Sequence, residues 1–583
     1  MNLKSLLLKP FLLCCFLVTN SYSSIDHKNI IPSLAAGALA GGIGYKLYQK
    51  YKNDQNTLER TKQEECNLND PDADPLICVV GGGFGGVAMG LKLRERGFRN
   101  FVILEKNESV GGAWLLNTYP GCACDIPSHL YSLSQAPNPN WSKSYASQPE
   151  ILEYIQNVAS ENDLNTNLHF GEELKSATYN EKQNEWMIES QNRDGSKRSF
   201  KSKYFVSAMG PLHHPNYPIG QEERDQFKGK QCHTANWFSE SDICDKNVAI
   251  IGGGASGLQL IPALGLSENK PKKMTLISSS LNYIVPRENP MLPKEKYPEY
   301  MKAAFRNVPM LTHAYRLSLY MMHELSFFAG IFDAPKKCGT PSRTRELSEN
   351  FVKSYMNDKM KKRPELEGMV PKDYPLGCKR ILKDPGFLDY VANNPEAFEM
   401  KMNRVTGINE LGPILDDGTQ LEVDAIVWAT GFEVGSIGDV QIVGIREKSH
   451  TGQSIMKSGG PSFYGISMRD FPNFFMLAGL NTGVGHNSIL NLIQSQVDNV
   501  VNTIEQAENK GADRIEIKPE KVAAFTSRLK KLMKKRIWQR DFCKSWYQNE
   551  EGIVTTNWPE SNTAFWRETA NRNLEEDYNI QKK

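Results

Sequence analysis

The predicted fold is α/β: two Rossmann-like dinucleotide-binding domains, a helical insertion in the second, and an N-terminal membrane segment. Three observations predict it. A short apolar strand, a glycine turn and a helical pattern stand together from Pro75, and the same arrangement returns from Asn247. Two apolar runs also open the chain ahead of a polar stretch. At 583 residues the chain is too long for one core, since domains run to roughly 100–200 residues. Lys and Arg exceed Asp and Glu by 69 − 67 = 2, so no global basic field points to nucleic acid.

The first apolar run, MNLKSLLLKPFLLCCFLVTNSYSS, has the basic start and small-residue end of a signal peptide, with Lys9 and Pro10 interrupting it. The second, IIPSLAAGALAGGIGY from Ile30, spans sixteen residues. At about 1.5 Å each these approach a hydrocarbon core of roughly 30 Å if Leu47 and Tyr48 extend the run. Lys4, Lys9, Lys46, Lys50 and Lys52 flank the pair, so a hairpin with both ends cytoplasmic satisfies the positive-inside tendency. The chain then reads as membrane-associated with its catalytic body facing the cytosol. The other readings are a cleaved signal peptide leading to the secretory pathway, and a cleaved presequence followed by a flexible linker. From Tyr51 to Asp74 the residues are polar and read as a linker.

In PLICVVGGGFGGVAMGLKLRERG, Gly81, Gly83 and Gly86 fit the dinucleotide fingerprint. The first permits a tight turn, the second lets backbone approach a pyrophosphate, and the third lets helix pack on strand. The helix N-terminus adds positive charge there. The next strand, FVILE, ends in Glu105, nineteen residues after Gly86. A carboxylate at that place accepts both ribose hydroxyls of an adenosine.

The repeat, NVAIIGGGASGLQLIPAL, carries Gly252, Gly254 and Gly257 at the same spacing, with Ser256 and Gln259 inside it. Its next strand ends in Ser278, Ser279 and Ser280 with no acid. Hydroxyls, helped by Lys272 or Lys273, can bond to a ribose 2′-phosphate that a carboxylate would repel, so NADPH is favoured over NADH. One turn for a resident flavin and one for a mobile nicotinamide make a hydride relay. A duplication with one inactive site is the competing reading.

Eleven cysteines show neither disulfide-framework nor zinc spacing, and no metal site is read. Cys122 and Cys124 read as structural rather than as a redox pair, and free thiols suit a reducing compartment.

Beyond the turns, FKGKQCHTANW at residues 227–237 resembles a signature of the flavin-dependent monooxygenases, Baeyer–Villiger type, with Phe227, Gly229, His233 and Trp237 at its fixed positions. GGAWLLNTYPGCACD, from Gly111, is similar to the family's second signature. DYPLGCKRILKD, from Asp373, resembles the segment that carries its mobile arginine. The resemblance implies FAD and NADPH as cofactors, Trp114 and Tyr131 beside the flavin, and Asp125 holding Arg380, the arginine that would stabilise a peroxyflavin. It places Trp546 on the nicotinamide side and Phe227, Gly229, His233 and Trp237 in a domain hinge rather than at the reacting centre. Where the family has an arginine for the 2′-phosphate, this chain has Ser279.

The expected division is 1–50 membrane segments, 51–74 linker, 75–230 FAD-binding domain, 231–385 NADP-binding domain with its insertion at about 291–369, 386–545 second part of the FAD-binding domain, and 546–583 C-terminal segment. The insertion, rich in Met, Leu, Phe and Tyr, reads equally as a lining of the substrate cleft or as a helical core. The resemblance implies insertion of one oxygen atom from O2 into a small hydrophobic substrate, foremost a ketone. The alternatives are N- or S-oxygenation, an NADPH oxidase, or a non-catalytic membrane-tethered flavoprotein.

Overall fold

The computed structural model describes residue 68 and residues 74–582, apart from 290–291, 293–294, 335–342, 435–439, 446–448, 452–459 and 461. Two five-stranded parallel sheets organise it. The first runs in the order Phe474–Met476, Tyr204–Ser207, Ile77–Val80, Phe101–Glu105, Leu168–Phe170. Its strands are apolar on both faces because both are covered, as parallel sheets require. Ile77, Val79, Phe101, Ile103 and Val206 face helices Phe84–Glu95 and Ile489–Asn509. The alternate residues Cys78, Val80, Val102, Leu104 and Phe205 face Trp186 and Ile188 of a mixed sheet built on Glu172–Asn180 and Glu185–Asn192.

The second sheet has the order Phe398–Lys401, Lys273–Ile277, Asn247–Ile251, Ala425–Trp428, Lys230–His233. Two expectations change here. The stretch 386–545 was assigned to the flavin domain, yet Phe398–Lys401 and Ala425–Trp428 pair in the second sheet, and the chain rejoins the first only at Phe474–Met476. The cue was ambiguous for a physical reason. SAMG at 207–210 and WATG at 428–431 do the same job, each setting an alanine carbonyl (Ala208, Ala429) 2.4 Å from where a Cβ on Gly81 or Gly252 would lie.

The predicted N-terminal membrane segment is also corrected, and with it the membrane-associated localisation and the tethered-flavoprotein alternative. Among the described residues no helix is long and apolar enough to cross a membrane, and residues 1–50 lie outside the described residues.

The insertion forms helices Glu299–Asn307, Pro309–Phe328 and Arg343–Met360. Helix Pro309–Phe328 has a mixed inner face: it buries Thr312, Arg316 and Glu324 beside Leu319 and Phe327, and exposes Met310, Leu311, Leu317 and Phe328. Its polar residues act as clamps. The Arg316 guanidinium donates to the carbonyls of His129, Leu130 and Ser132. None of the described residues around the cavity at the first glycine turn comes from 291–369. At the other end, Tyr578–Gln581 pairs antiparallel with Arg514–Ile517.

Candidate active site

Each sheet ends in the same construction. Gly81 N donates to Leu104 O at 2.8 Å and Gly252 N to Ile277 O at 2.9 Å. Both glycines have φ near +112°, which side chains disfavour. A Cβ on Gly86 would meet Gly81 O at 1.9 Å, and one on Gly257 would meet Gly252 O at 2.3 Å, so helix and turn touch backbone to backbone. The helices that follow, Phe84–Glu95 and Ala255–Gly265, start at Gly83 and Gly254 with no acid in their first turns. That leaves their positive ends open to phosphate.

The strand-end residues also correspond. Glu105, buried to 5 % exposure, accepts from Gly82 N at 2.7 Å through Oε2 and from Asn107 N at 2.8 Å through Oε1. Ser278 Oγ accepts from Gly253 N at 3.2 Å and donates to Ser280 O at 2.8 Å. The second cradle differs in charge. Lys379 Nζ donates to Ser280 Oγ at 2.9 Å and lies 4.4 Å from the Tyr374 ring centre. Burial pushes its ammonium pKa down, against the pull of Asp373.

A cavity of about 680 Å³ runs from the first cradle, lined by Gly81, Gly83, Glu105, Trp114, Arg380 and Trp546 among others. Trp114 Nε1 donates to Tyr131 OH at 3.0 Å, and the rings meet edge to face at 5.6 Å. Burial holds the Tyr131 phenol far above its ordinary pKa, so it stays neutral. Trp546 is 51 % exposed and packs on buried Tyr547 at 4.6 Å.

Asp125 and Arg380, 255 residues apart, form the charged wall. Arg380 Nε donates to Asp125 Oδ2 at 2.8 Å, and Nη2 donates to Oδ1 at 2.7 Å and Oδ2 at 2.6 Å. Asp125 pushes the guanidinium pKa above its already high value, outweighing burial. Nη1 carries no hydrogen bond to the described residues, so one charged donor is left for a ligand.

The loop bearing Asp125 docks the two sheets together. A Cβ on Gly121 would meet Gln259 O at 2.4 Å, and the Gln259 side chain donates to Ala123 O at 2.9 Å and accepts from Tyr119 OH at 2.8 Å. Gln259 is thus a bridge between the units. Cys122 and Cys124 are buried free thiols in this loop. Burial pushes Cys122 up to about 12 and Cys124 higher still.

His233 ends the edge strand Lys230–His233, fully buried. Two crossing segments pass beside it and pair with each other, Asn216 N to Gly431 O at 2.9 Å and Glu433 N to His214 O at 2.9 Å. Its ring stands between Tyr217 of one and Phe432 of the other, at 5.3 and 5.7 Å. Burial lowers its pKa to about 4, so it is neutral. Phe227 is buried against Gly229, where a Cβ would meet its ring and Asp424 O at 2.5 Å each. Trp237 packs on Phe238 at 5.1 Å. None of these four lines the cavity among the described residues.

The family model described as pyridine nucleotide-disulphide oxidoreductase matches residues 78–280. A Baeyer–Villiger monooxygenase of Streptomyces coelicolor is 33 % identical over 502 residues, covering 86 % of this chain and 92 % of that one. The chain belongs to the Baeyer–Villiger monooxygenase family. An FAD-binding monooxygenase of Aspergillus niger, ktnD, is 31 % identical over 508 residues, covering 85 % of this chain and 80 % of that one. The cyclohexanone monooxygenase of Rhodococcus sp. Phi1 bound to NADP+ shares the fold at a TM-score of 0.71 and 24 % identity, over 88 % of this chain and 100 % of that one. This monooxygenase is therefore an oxidoreductase of the flavoprotein class.

Two features of the monooxygenase were missed in its sequence. Lys379 shows in the sequence only as the residue before Arg380, because 99 residues separate it from Ser280. Cys378 and Cys543 were read as free, yet they form a disulfide across 165 residues, which no local spacing announces.

Proposed function

We propose that this monooxygenase, which uses FAD and NADPH, oxidises a hydrophobic ketone to an ester or lactone. When bound, the flavin accepts hydride from NADPH and activates dioxygen for transfer of one oxygen atom. The residues present fit such a group. Gly81 has room only for backbone, a Cβ there meeting Ala208 O at 2.4 Å, Gly254 faces open space with no heavy atom within 4 Å of a Cβ, and Glu105 closes the first cradle.

The observation that carries the ketone reading is Arg380. A planar, permanently charged fork at the cavity wall, with Asp125 fixing one edge and Nη1 left over, can hold a developing oxyanion without reorganising. Asp125 orients; Arg380 donates. Trp114 and Tyr131 supply an angled aromatic wall, and Trp546 stands at the rim. His233, between the two crossing segments, is placed to coordinate movement of one unit against the other.

Lys379 supplies the cation that Ser279 does not. Lys379→Ala is expected to raise KM for NADPH about 10–100-fold, the loss of one hydrogen bond to a charged group. KM for NADH should hardly change. Steady-state kinetics with both nucleotides checks this, and an equal effect on both removes Lys379 from 2′-phosphate recognition.

The ketone reading is tested by incubating purified enzyme with NADPH and a panel of linear, aryl and steroidal ketones. Ester or lactone products are expected. Hydrogen peroxide alone points to an oxidase, and oxides of amine or sulfide probes without esters point to N- or S-oxygenation. A bound flavin that stays yellow under anaerobic NADPH overturns the enzyme reading itself.

A further inference from the structure

The disulfide Cys378–Cys543 joins two segments that meet nowhere in sequence, with Cα atoms 5.4 Å apart and both side chains fully buried. Its position relative to the site is close on both strands of the link. Cys378 stands one residue before Lys379 and two before Arg380, while Cys543 stands three before Trp546 and four before Tyr547. Arg380, Trp546 and Tyr547 all line the 680 Å³ cavity. One covalent bond therefore ties the wall carrying the charged donor to the rim carrying the aromatic pair.

The two partners depend on that bond unequally. The Cys378 loop is held by other contacts: Leu376 N donates to Glu349 Oε2 at 3.0 Å, Trp538 Nε1 donates to Gly377 O at 2.9 Å, and the turn at Gly377 lies against Ile331 O. The Cys543 side is different. From Asp541 to Trp546 every residue is exposed or half-buried except Cys543 itself. Trp538 anchors the chain before this stretch, and Tyr547 after it. Between those anchors Cys543 is the one buried residue, so cutting its sulfur leaves the segment that ends in Trp546 with local contacts such as Cys543 N to Arg540 O at 2.8 Å.

We infer that the Cys378–Cys543 disulfide is a positioning element of the monooxygenase reaction, holding the exposed stretch that ends in Trp546 in register with Lys379 and Arg380. It rests on the reading of Arg380 and Lys379 given above. Reduction by an external dithiol delivers two electrons and two protons: the S–S bond breaks, two thiols form, and the dithiol closes its own disulfide. The enzyme then keeps its flavin cradle, whose turn and helix at 81–95 contain neither cysteine, but loses register between the nucleotide cation and the rim. Oxygen transfer uncouples while flavin reduction continues, because misplacement on the scale of an ångström costs rate steeply.

Dithiothreitol is the probe. Intact enzyme is treated or left untreated, alkylated under denaturing conditions and weighed by mass spectrometry. Flavin absorbance, KM for NADPH and peroxide formed per NADPH are measured in parallel without organic substrate, then with a ketone the enzyme turns over. Treatment is expected to add two alkylated cysteines, leave flavin content unchanged, raise KM for NADPH and raise the rate of peroxide release without substrate about tenfold each, and with the ketone present to raise peroxide per NADPH toward its limit of one. Cys543→Ser is expected to show the treated behaviour before treatment and no response after it. If that variant fails to fold, the treated wild-type enzyme still decides the matter. A mass without the two extra labels, or a reduced enzyme with unchanged KM and coupling, overturns the inference. Substrate-free readouts keep it separate from the ketone reading: peroxide that responds to thiol state with no ester formed refutes the ketone and retains the disulfide's role.

Discussion

Arg380→Ala is expected to retain its flavin and lose oxygenation, with product formation down about 10²–10³-fold or more, the cost of removing one preorganised donor from an oxyanion site. NADPH consumption should continue, so hydrogen peroxide replaces the ester. The expectation follows from where the donors go. Nε and Nη2 are committed to Asp125 by three contacts of 2.6–2.8 Å, which fixes the fork's plane and leaves Nη1 for ligand. Alanine also strands Asp125, a carboxylate whose side chain is only 19 % exposed, and that loss falls on the loop docked to Gln259. Arg380→Lys separates the two effects. It keeps a cation near Asp125 but replaces the planar fork with a point charge, so it should restore stability more than oxygenation. Flavin absorbance, NADPH consumption, peroxide and product measured on both variants check this. Full ester formation by the alanine variant removes Arg380 from the chemistry.

The two glycine turns were legible in the sequence because they need an absence. Wherever an added Cβ would fall within 2.5 Å of a backbone oxygen, as it would from Gly86 to Gly81 O and from Gly257 to Gly252 O, no other residue fits, and the spacing shows in one chain. The strands were legible for a related reason: both faces of each sheet are covered, so their residues run apolar without alternation. Contacts between remote segments were not legible. Lys379 meets Ser280 only because the strands Ile284–Val285 and Leu382–Lys383 pair in parallel and bring 280 and 379 side by side. The disulfide needs that same closure plus the return of the C-terminal segment.

Residue type misled where burial ran against it. The Met- and Leu-rich helix Pro309–Phe328 has an apolar composition, but its inward face takes two charged residues beside Leu319 and Phe327. Arg316 collects three backbone carbonyls within the 129–132 turn, and once it is buried the helix is rotated so that Met310 and Leu317 point outward. Propensity and hydropathy rank such residues singly. A charge that finds a full set of partners outweighs several leucines, since burying it unsatisfied costs more than exposing them. The return of the chain to the first sheet is hidden for another reason: two similar alanine–glycine crossings, SAMG and WATG, serve two sheets, and only strand pairing tells them apart.

Glu324→Ala is expected to cost about 3–5 kcal/mol, the penalty for breaking a buried charged network from one side. The carboxylate is 1 % exposed and accepts from five donors. They are His486 Nε2 at 3.1 Å, Asn487 Nδ2 at 3.0 Å, Asn562 N at 3.2 Å, Thr563 N at 3.1 Å and Thr563 Oγ1 at 2.8 Å. The amides belong to the start of helix Asn562–Thr569, where negative charge is favoured. The network thus joins the insertion, the C-terminal helix and the segment 482–488, which lines the cavity through Thr482, Gly483 and Val484. Loosening it should weaken flavin retention as well as stability. Burial pushes the carboxyl up, but the donors, His486 foremost, outweigh it and hold the pKa at about 2, below its ordinary 4.5. A depressed carboxyl stabilises the fold above its unfolded pKa and loses that contribution as pH falls toward the folded one. The stability gap between wild type and Glu324→Gln should therefore be full above about pH 5 and shrink between 4.5 and 2. Thermal unfolding of both across that range, with flavin release as a second signal, checks the sign: a gap that widens as pH falls, or an alanine variant with an unchanged midpoint at neutral pH, contradicts it.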